Sequence, residues 1–509
     1  MENLRSLIEL VTKKRIKKIE LFDEGSRNKN SNYFQLFDGI HSGRFKTDEE
    51  AAAEIYQCDP AEKKYLILKT RLKQKLLNTL FFLDFHDPDV AEYKAVAYEC
   101  NKTLFNARVL LLHNSARLAI PAVEKALKQA ESYYLTEIAL ECARILRQHA
   151  SKEGPYKEFL RYCEQADYAE NRLRIENLSE RYWEEATALL RKSKTSRDKV
   201  REVAKKGYED LEQSLNLFAS PWLMMNYYRL KSLYFQLVDD YKEALVVTEE
   251  TEHFAVLHPH HFTRADLARI VLRRMNYLLH LRDLETGAAT VEAGEKYFIE
   301  GNDQWVTLHE YYFLLAMHAE DYLRAANIFQ KVVLHSSFRQ ISGNRKERWL
   351  IFQAYLHYLY KTANLKEIRP LIQNSKTGFR FNEFMAELPE FSKKKRGLNV
   401  ARLTVQTLYH LEKMNVEYLN RCTDELARYT RRYPKKDLHF RSECLISLMT
   451  NMRQEEFRYY QTRRSSERIY EEMRQTSMQY LGGNWGLEVM PYEALWGMML
   501  DRLKDHRYG

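Results

Sequence analysis

The chain has few of the residues that end helices and form tight turns. Its 509 residues include 16 glycines and 10 prolines, together about 5% of the chain against about 12% in average proteins. Sheets joined by tight turns depend on these two residues. Their scarcity argues against a sheet protein and favours an all-α protein with long helices.

Long hydrophobic runs and clustered cysteines are also missing. No stretch approaches the ~18 consecutive apolar residues of a membrane-spanning helix. Residues 1–18 place their apolar part before their basic part, the reverse of a secretory signal. The six cysteines contain no C-x-x-C pair, so neither a zinc ribbon nor a disulfide framework is indicated. A cytoplasmic protein with small buried cysteines is the simplest interpretation.

Sequence signatures of catalysis are likewise absent. There is no phosphate-binding loop, no dinucleotide fingerprint, no H-E-x-x-H and no G-x-S-x-G. The segment "LGGNWG" (481–486) is rich in glycine but lacks the lysine of a phosphate loop. We therefore expect a protein that is not an enzyme, with no catalytic residues and no cofactor.

The charge of the chain is mildly positive. It has 80 Lys and Arg against 71 Asp and Glu, a net charge of +9. Basic runs occur as "TKKRIKK" (12–18), "SKKKR" (392–396) and "RYTRRYPKK" (428–436). This surplus permits a nucleic acid or an acidic protein partner but requires neither.

A short pattern recurs through the second half of the chain: Asp or Asn, an apolar residue next, and a small or apolar residue at plus four. It is clearest as "DYKEA" (240–244) and "DYLRA" (321–325), and weaker forms begin at positions 283, 364 and 415. A period near 40 residues is typical of helical-hairpin repeats. We expect the Asp or Asn to cap the second helix of each hairpin and the small residue to let two helices approach closely.

These residues resemble the tetratricopeptide repeat family. The two clearest units supply the family positions Tyr228, Ser232, Phe235, Asp240, Tyr241 and Ala244, and His309, Phe313, Ala316, Asp321, Tyr322, Ala325 and Phe329. Departures are a longer spacing than the family's about 34 residues, a missing closing proline, and Met275, Phe313 and Leu356 at the small first-helix position. The resemblance, clear over residues 222–335, implies a superhelix of helical hairpins (an α-solenoid). An irregular helical bundle is the alternative.

Composition divides the rest of the chain. The expected segments are a basic helical module at 1–86, early hairpins at 87–217, repeats at 218–480 with an insertion at 375–397, and a C-terminal capping helix at 481–509. Gly378, Pro389 and a basic run indicate the insertion. Apolar residues on one side of 491–505 indicate a helix that covers the last hairpin. A partner-docking helix is the alternative there.

The N-terminal module contains a short helix, a turn at "CDP" (58–60) and a longer basic helix, with Pro60 expected in the first turn of the second helix. The arrangement resembles a helix-turn-helix DNA-binding unit. The resemblance implies phosphate contacts from Lys63, Lys64, Lys69, Arg71, Lys73 and Lys75. Because the turn lacks the usual glycine and the second helix ends in an apolar stretch, we favour a packed helical pair with solvated lysines.

Four histidines lie close together, and neutral imidazole is a good zinc ligand. They are His253, His258, His260 and His261. No cysteine or carboxylate completes the set at a suitable spacing. A polar loop in which Pro259 ends a helix is the favoured interpretation, and no metal site is expected.

The family resemblance also implies where a partner would bind: a concave groove lined by the first helix of each hairpin. The polar positions of this groove are Asn226, Arg229, Gln236, Arg269, Asn276, His280, Thr307, Glu310, His318, Gln353, His357 and Lys361. An ordinary solvated helix face is the competing interpretation. We expect a scaffold or adaptor that binds a peptide or a partner domain. The alternative is a nucleic-acid-binding transcriptional regulator with repeats that act as a sensor.

Overall fold

The computed structural model describes residues 1–13, 31–82, 91–192, 197–362, 365–372, 384, 396–432, 440–476, 478 and 487–505. Within these ranges the chain is all-α, with 23 helices and no strand, which confirms the prediction drawn from the scarcity of glycine and proline. Contacts between residues divide the chain into two compact units, 1–177 and 178–509. The predicted insertion at 375–397 lies almost entirely outside the described residues.

The first four helices form the N-terminal module. They are α1 (Glu2–Lys13), α2 (Asn32–His41), α3 (Asp48–Tyr56) and α4 (Lys63–Thr79). Tyr65, Leu72 and Leu76 of α4 are fully buried in their shared core. The prediction for Pro60 is wrong: it lies in the turn, and α4 begins three residues later after the cap residue Glu62.

Four long helices complete the first unit and lead into the second. They are α5 (Glu92–Leu112), α6 (Ala116–Ser132), α7 (Thr136–Glu153) and α8 (Tyr156–Arg191), and the boundary between the units falls within α8. Consecutive helices α5, α6 and α7 pack against one another. Asn114 and Tyr134 adopt left-handed conformations in the turns between them.

The second unit continues the succession of packed helices. These are α9 (Arg197–Glu212), α10 (Leu215–Phe218), α11 (Pro221–Leu237), α12 (Tyr241–Leu257), α13 (Arg264–Leu281), α14 (Leu284–Gly294), α15 (Asp303–His318), α16 (Tyr322–Leu334), α17 (Gly343–Thr362), α18 (Arg369–Ile372), α19 (Arg396–Glu412), α20 (Val416–Arg432), α21 (Phe440–Gln454), α22 (Tyr459–Arg474) and α23 (Tyr492–Asp505). Neighbours such as α11 with α12 and α15 with α16 form helical hairpins.

The recurring Asp residues cap helices as the sequence pattern predicts. The carboxylates of Asp240, Asp283 and Asp321 accept hydrogen bonds, at 3.0–3.2 Å, from the backbone N–H three residues further on. Each bond satisfies a donor that the first turn of a helix otherwise leaves free. The predicted anchor at position 364 lies outside the described residues.

The residue before each cap ends the preceding helix. Asp239, Arg282 and Glu320 have φ angles of 59°, 55° and 60°, in the left-handed region that usually selects glycine. The next N–H then bonds back to a carbonyl five residues earlier, as from Asp321 to Ala316 at 2.9 Å. This geometry is a Schellman-type helix end, and it reverses the chain within two residues.

Small residues allow the hairpins to pack closely. Ala244 and Ala325 are fully buried. At Gly287 an added Cβ would lie 2.2 Å from Cδ2 of Leu315, so a larger residue would require the buried Leu315 side chain to move. A continuous hydrophobic core runs from α13 to α23, and the last helix packs on α19, α21 and α22.

Candidate partner-binding face

The twelve predicted groove residues occur on four helices, α11, α13, α15 and α17, at spacings that place them on one side of each helix. We call this side the first-helix face. Six of the twelve are buried: Asn226, Asn276, Glu310, His318, Gln353 and His357. Arg269 and Lys361 are exposed, and the other four are half-buried. Their role in partner binding stays a prediction.

Several buried members bond to neighbouring side chains. The Asn226 amide donates to the Ser179 hydroxyl at 3.0 Å, and Glu310 forms a buried ion pair with Arg348. These bonds offset the cost of burying polar groups. Such residues support packing between helices and are closed to a partner.

A stretch of the chain's own C-terminal part lies on the first-helix face. We call Met478 and Leu487–Asp505 the C-terminal segment. His280 Nδ1 donates a hydrogen bond to the Met478 carbonyl at 2.9 Å, and His318 Nε2 donates to the Glu488 carbonyl at 2.8 Å. Two predicted groove residues thus bond to main-chain carbonyls of this segment at residues that precede α23.

Arg441 of α21 fixes the acidic side chains of the same segment. Its guanidinium donates to both carboxylate oxygens of Glu488 at 2.7 and 3.0 Å, and to those of Glu493 at 2.8 and 2.9 Å. Burial disfavours the charged form of Arg441, but the bonds to the two glutamates outweigh it and raise the pKa. Bidentate arginine–carboxylate bonds of this kind are strong and directional.

Three arginines on α11 and α13 interact electrostatically with one another: Arg229, Arg269 and Arg273. Burial lowers the pKa of Arg229, and the positive charges of Arg273 and Arg269 lower it further, whereas Asp266 opposes the shift. Asp266 already bonds to Arg269 at 2.6 Å. Within the described ranges neither Arg229 nor Arg273 forms an ion pair. We call these three residues the arginine cluster.

Neighbouring side chains hold Arg229 in place. The guanidinium lies over the ring of Trp183, 5.6 Å from its centroid, and Nη1 is 3.4 Å from the Asn226 oxygen. On α13, the Asn276 side-chain oxygen is buried and has no hydrogen-bond partner among the described residues. The arginine cluster therefore contains one oriented arginine, Arg229. The unsatisfied oxygen of Asn276 lies one helical turn from another member, Arg273.

The six candidate phosphate-binding residues of α4 are mostly exposed. Lys63, Lys64, Arg71 and Lys73 face solvent, whereas Lys69 binds Asp48 at 2.7 Å and Lys75 lies over the Tyr33 ring. Tyr65 and Leu68 on the opposite side are buried. This arrangement matches the packed pair with solvated lysines that the sequence favoured.

The four clustered histidines do not converge. His253 and His260 are exposed, His258 bonds to the Phe254 carbonyl at 2.9 Å, and His261 is buried. His253 lies within α12, which ends at Leu257 before the other three. Across the described residues, no three His, Cys, Asp or Glu side chains are arranged to hold a metal ion.

Sequence reasoning missed Arg273 on this face and Arg441 of α21, which binds the segment that lies on the face. Arg273 follows Arg269 by four residues on one predicted helix, so the shared face was detectable. Arg441 is 47 residues from Glu488 in the chain, and no local pattern connects them.

Comparison of the chain with models of known protein families, with curated proteins and with solved structures finds no match. In the part of the chain that the structure describes, no helix is both long and apolar enough to cross a membrane.

Proposed function

We propose that the protein is a non-enzymatic interaction protein whose first-helix face binds an extended segment of a partner, in the manner of a tetratricopeptide-like superhelix. The observation that carries the proposal is the docking of the chain's own segment on this face. His280 and His318 hold its main-chain carbonyls. The face thus already accepts one stretch of polypeptide by its main chain, and the accessible residues of the same face are available to a second.

The face has a closed part and an accessible part. Leu487, Met490 and Tyr492 of the C-terminal segment are almost completely buried, so this segment is an integral part of the core. A partner would therefore bind beside it, over the accessible residues of α11 and α13. The half-buried Arg229 and Gln236 and the exposed Arg269 lie there.

Peptide selection on the full-length protein tests the proposal. Peptides selected from a random displayed library should slow amide hydrogen exchange in α11 and α13, because a bound segment covers their first-helix face. Protection confined to α12, α14 and α16, or failure to select any peptide, would contradict the proposed function. Circular dichroism of the complex checks that the helical fold is retained.

The second candidate function is nucleic-acid binding by the N-terminal module. The exposed Lys63, Lys64, Arg71 and Lys73 on one helix favour it. The full-length chain should then bind duplex DNA at about 50 mM salt and release it as salt rises, since phosphate contacts dominate such affinity. No binding at low salt, or equal binding by a variant with all four residues changed to Gln, would remove this candidate.

A further inference from the structure

We propose that the arginine cluster binds an acidic stretch of a partner protein through its carboxylate side chains. The proposal rests on the proposed function, since it names the chemistry of the segment that the first-helix face accepts. It concerns Arg229, Arg269 and Arg273, which form no hydrogen bond or ion pair with the described residues of the C-terminal segment.

The Arg229 guanidinium is exposed to the positive charges of two neighbouring arginines. Arg273 and Arg269 both disfavour the charged state of Arg229, and the acid that opposes them, Asp266, already bonds to Arg269 and to Thr263. Holding like charges together at a partly buried site costs free energy. A ligand that carries negative charge would relieve that repulsion. A basic ligand would increase it, and a neutral ligand would leave it unchanged.

Neighbouring side chains orient the N–H donors of Arg229. Arg229 is held over the Trp183 ring and next to the Asn226 oxygen, so its position is largely set before a ligand arrives. Arginine presents paired N–H donors that match the two oxygens of a carboxylate. Less side-chain freedom is lost on binding when the guanidinium is already positioned.

The same unit contains an arginine whose carboxylate partners are already in place, at the C-terminal segment. There Arg441 binds two carboxylates five residues apart in the chain, Glu488 and Glu493, while His318 binds the intervening main chain at Glu488. An arginine that reads acidic side chains and a histidine that holds the backbone thus act together on one stretch of polypeptide.

The arginine cluster offers the arginine part of this combination, since His280 on the same helix already binds the Met478 carbonyl. Arg273 and His280 are seven residues apart, so they lie two turns apart on one side of α13. Arg273 forms no ion pair within the described ranges, whereas Arg441 forms two. The filled example favours an acidic polypeptide over nucleic acid as the occupant, because the anionic groups that Arg441 binds there are side chains of a polypeptide.

The test uses the full-length protein and a fluorescent peptide of alternating Glu and Ser, with the peptide of alternating Gln and Ser as its neutral match. Fluorescence anisotropy should show the acidic peptide binding at least about tenfold more tightly. Arg229→Gln combined with Arg273→Gln should reduce its affinity by at least about tenfold. A matched control, Arg421→Gln with Arg468→Gln, changes two exposed arginines of α20 and α22 and should leave the affinity unchanged.

Three results would overturn the proposal. Equal affinity of the cluster variant and the control would exclude the cluster as the site. Tighter binding of a single-stranded RNA of equal charge, lost in the same cluster variant, would make nucleic acid the occupant. Neutral library peptides that protect α11 and α13 regardless of the arginine changes would refute the acidic specificity and leave the proposed function standing. Thermal melts of each variant confirm that folding is intact.

Discussion

Histidine burial makes the stability of the second unit depend on pH. Burial, with a smaller effect of Lys361, lowers the pKa of His357 to about 4, against about 6.5 in an unfolded chain. Between these values the unfolded state binds the proton more readily. The stabilising contribution is therefore complete above about pH 6.5 and is lost toward pH 4, by about 1.4 kcal/mol per pH unit.

The variant His357→Gln should reduce this dependence on pH. Glutamine does not titrate, so the free energy of unfolding should fall less between pH 7 and pH 5 than in the parent protein. Urea denaturation at the two pH values measures the difference. The substitution also removes the bond to Tyr409, but that loss lowers stability equally at both pH values and cancels in the comparison. An equal fall in unfolding free energy in the two proteins would therefore contradict the prediction.

At the scale of helices, close packing at Gly287 leads to the next prediction. An added methyl group would overlap the buried side chain of Leu315, so Gly287→Ala should lower the free energy of unfolding by about 1–3 kcal/mol. Gly497→Ala is the matched control, since nothing lies within 4 Å of its Cβ position. That change should be neutral or stabilise by up to about 1 kcal/mol.

A double-mutant cycle with Leu315→Val tests the cause. If overlap with Leu315 is responsible, Gly287→Ala should cost less in that background. If Gly287→Ala lowers the free energy of unfolding equally in both backgrounds, the destabilisation does not come from overlap with Leu315.

The turns before the helix caps offer a stabilising change. Glu320 holds a left-handed backbone without the freedom of glycine, which costs roughly 1–2 kcal/mol. Glu320→Gly should raise the free energy of unfolding by about 0.5–1 kcal/mol after the added freedom of the unfolded chain is subtracted. Lys205→Gly, at an exposed position within α9, should instead lower it by about 1 kcal/mol. Thermal or urea denaturation distinguishes the two, and a loss at Glu320 would contradict the assigned strain.

These elements also mark what the sequence could predict. The caps at Asp240 and Asp321 and the small residues beside them follow from spacing, because each interaction spans only a few residues. The burial of Glu310 could not be predicted, since it depends on Arg348 of another helix. Likewise the family positions indicated a groove, but its partial filling depends on contacts with residues more than 150 positions away.

For the whole molecule, Arg441 connects the C-terminal segment to the rest of the second unit. Arg441→Ala would leave two glutamates without their buried partner and should cost about 3–5 kcal/mol of unfolding free energy. Arg474→Ala, at an exposed pair with Glu471, should cost at most about 1 kcal/mol. Urea denaturation measures both.

Hydrogen exchange on the Arg441 variant separates local from distant effects. Because the same segment binds His280 and His318, its release should also speed exchange in the last turns of α13 and α15. Faster exchange limited to α21 and α23 would contradict a connection that extends across the unit.

The two histidine contacts have a further consequence for biosynthesis. They join residues 198 and 170 positions apart. A ribosome adds about 5–20 residues per second, so α13 and α15 are made about 10–40 seconds before the segment that covers them. During that interval the nascent helices expose the part of the face that the C-terminal segment later covers, and a chaperone that recognises apolar polypeptide has a defined time in which to act on it.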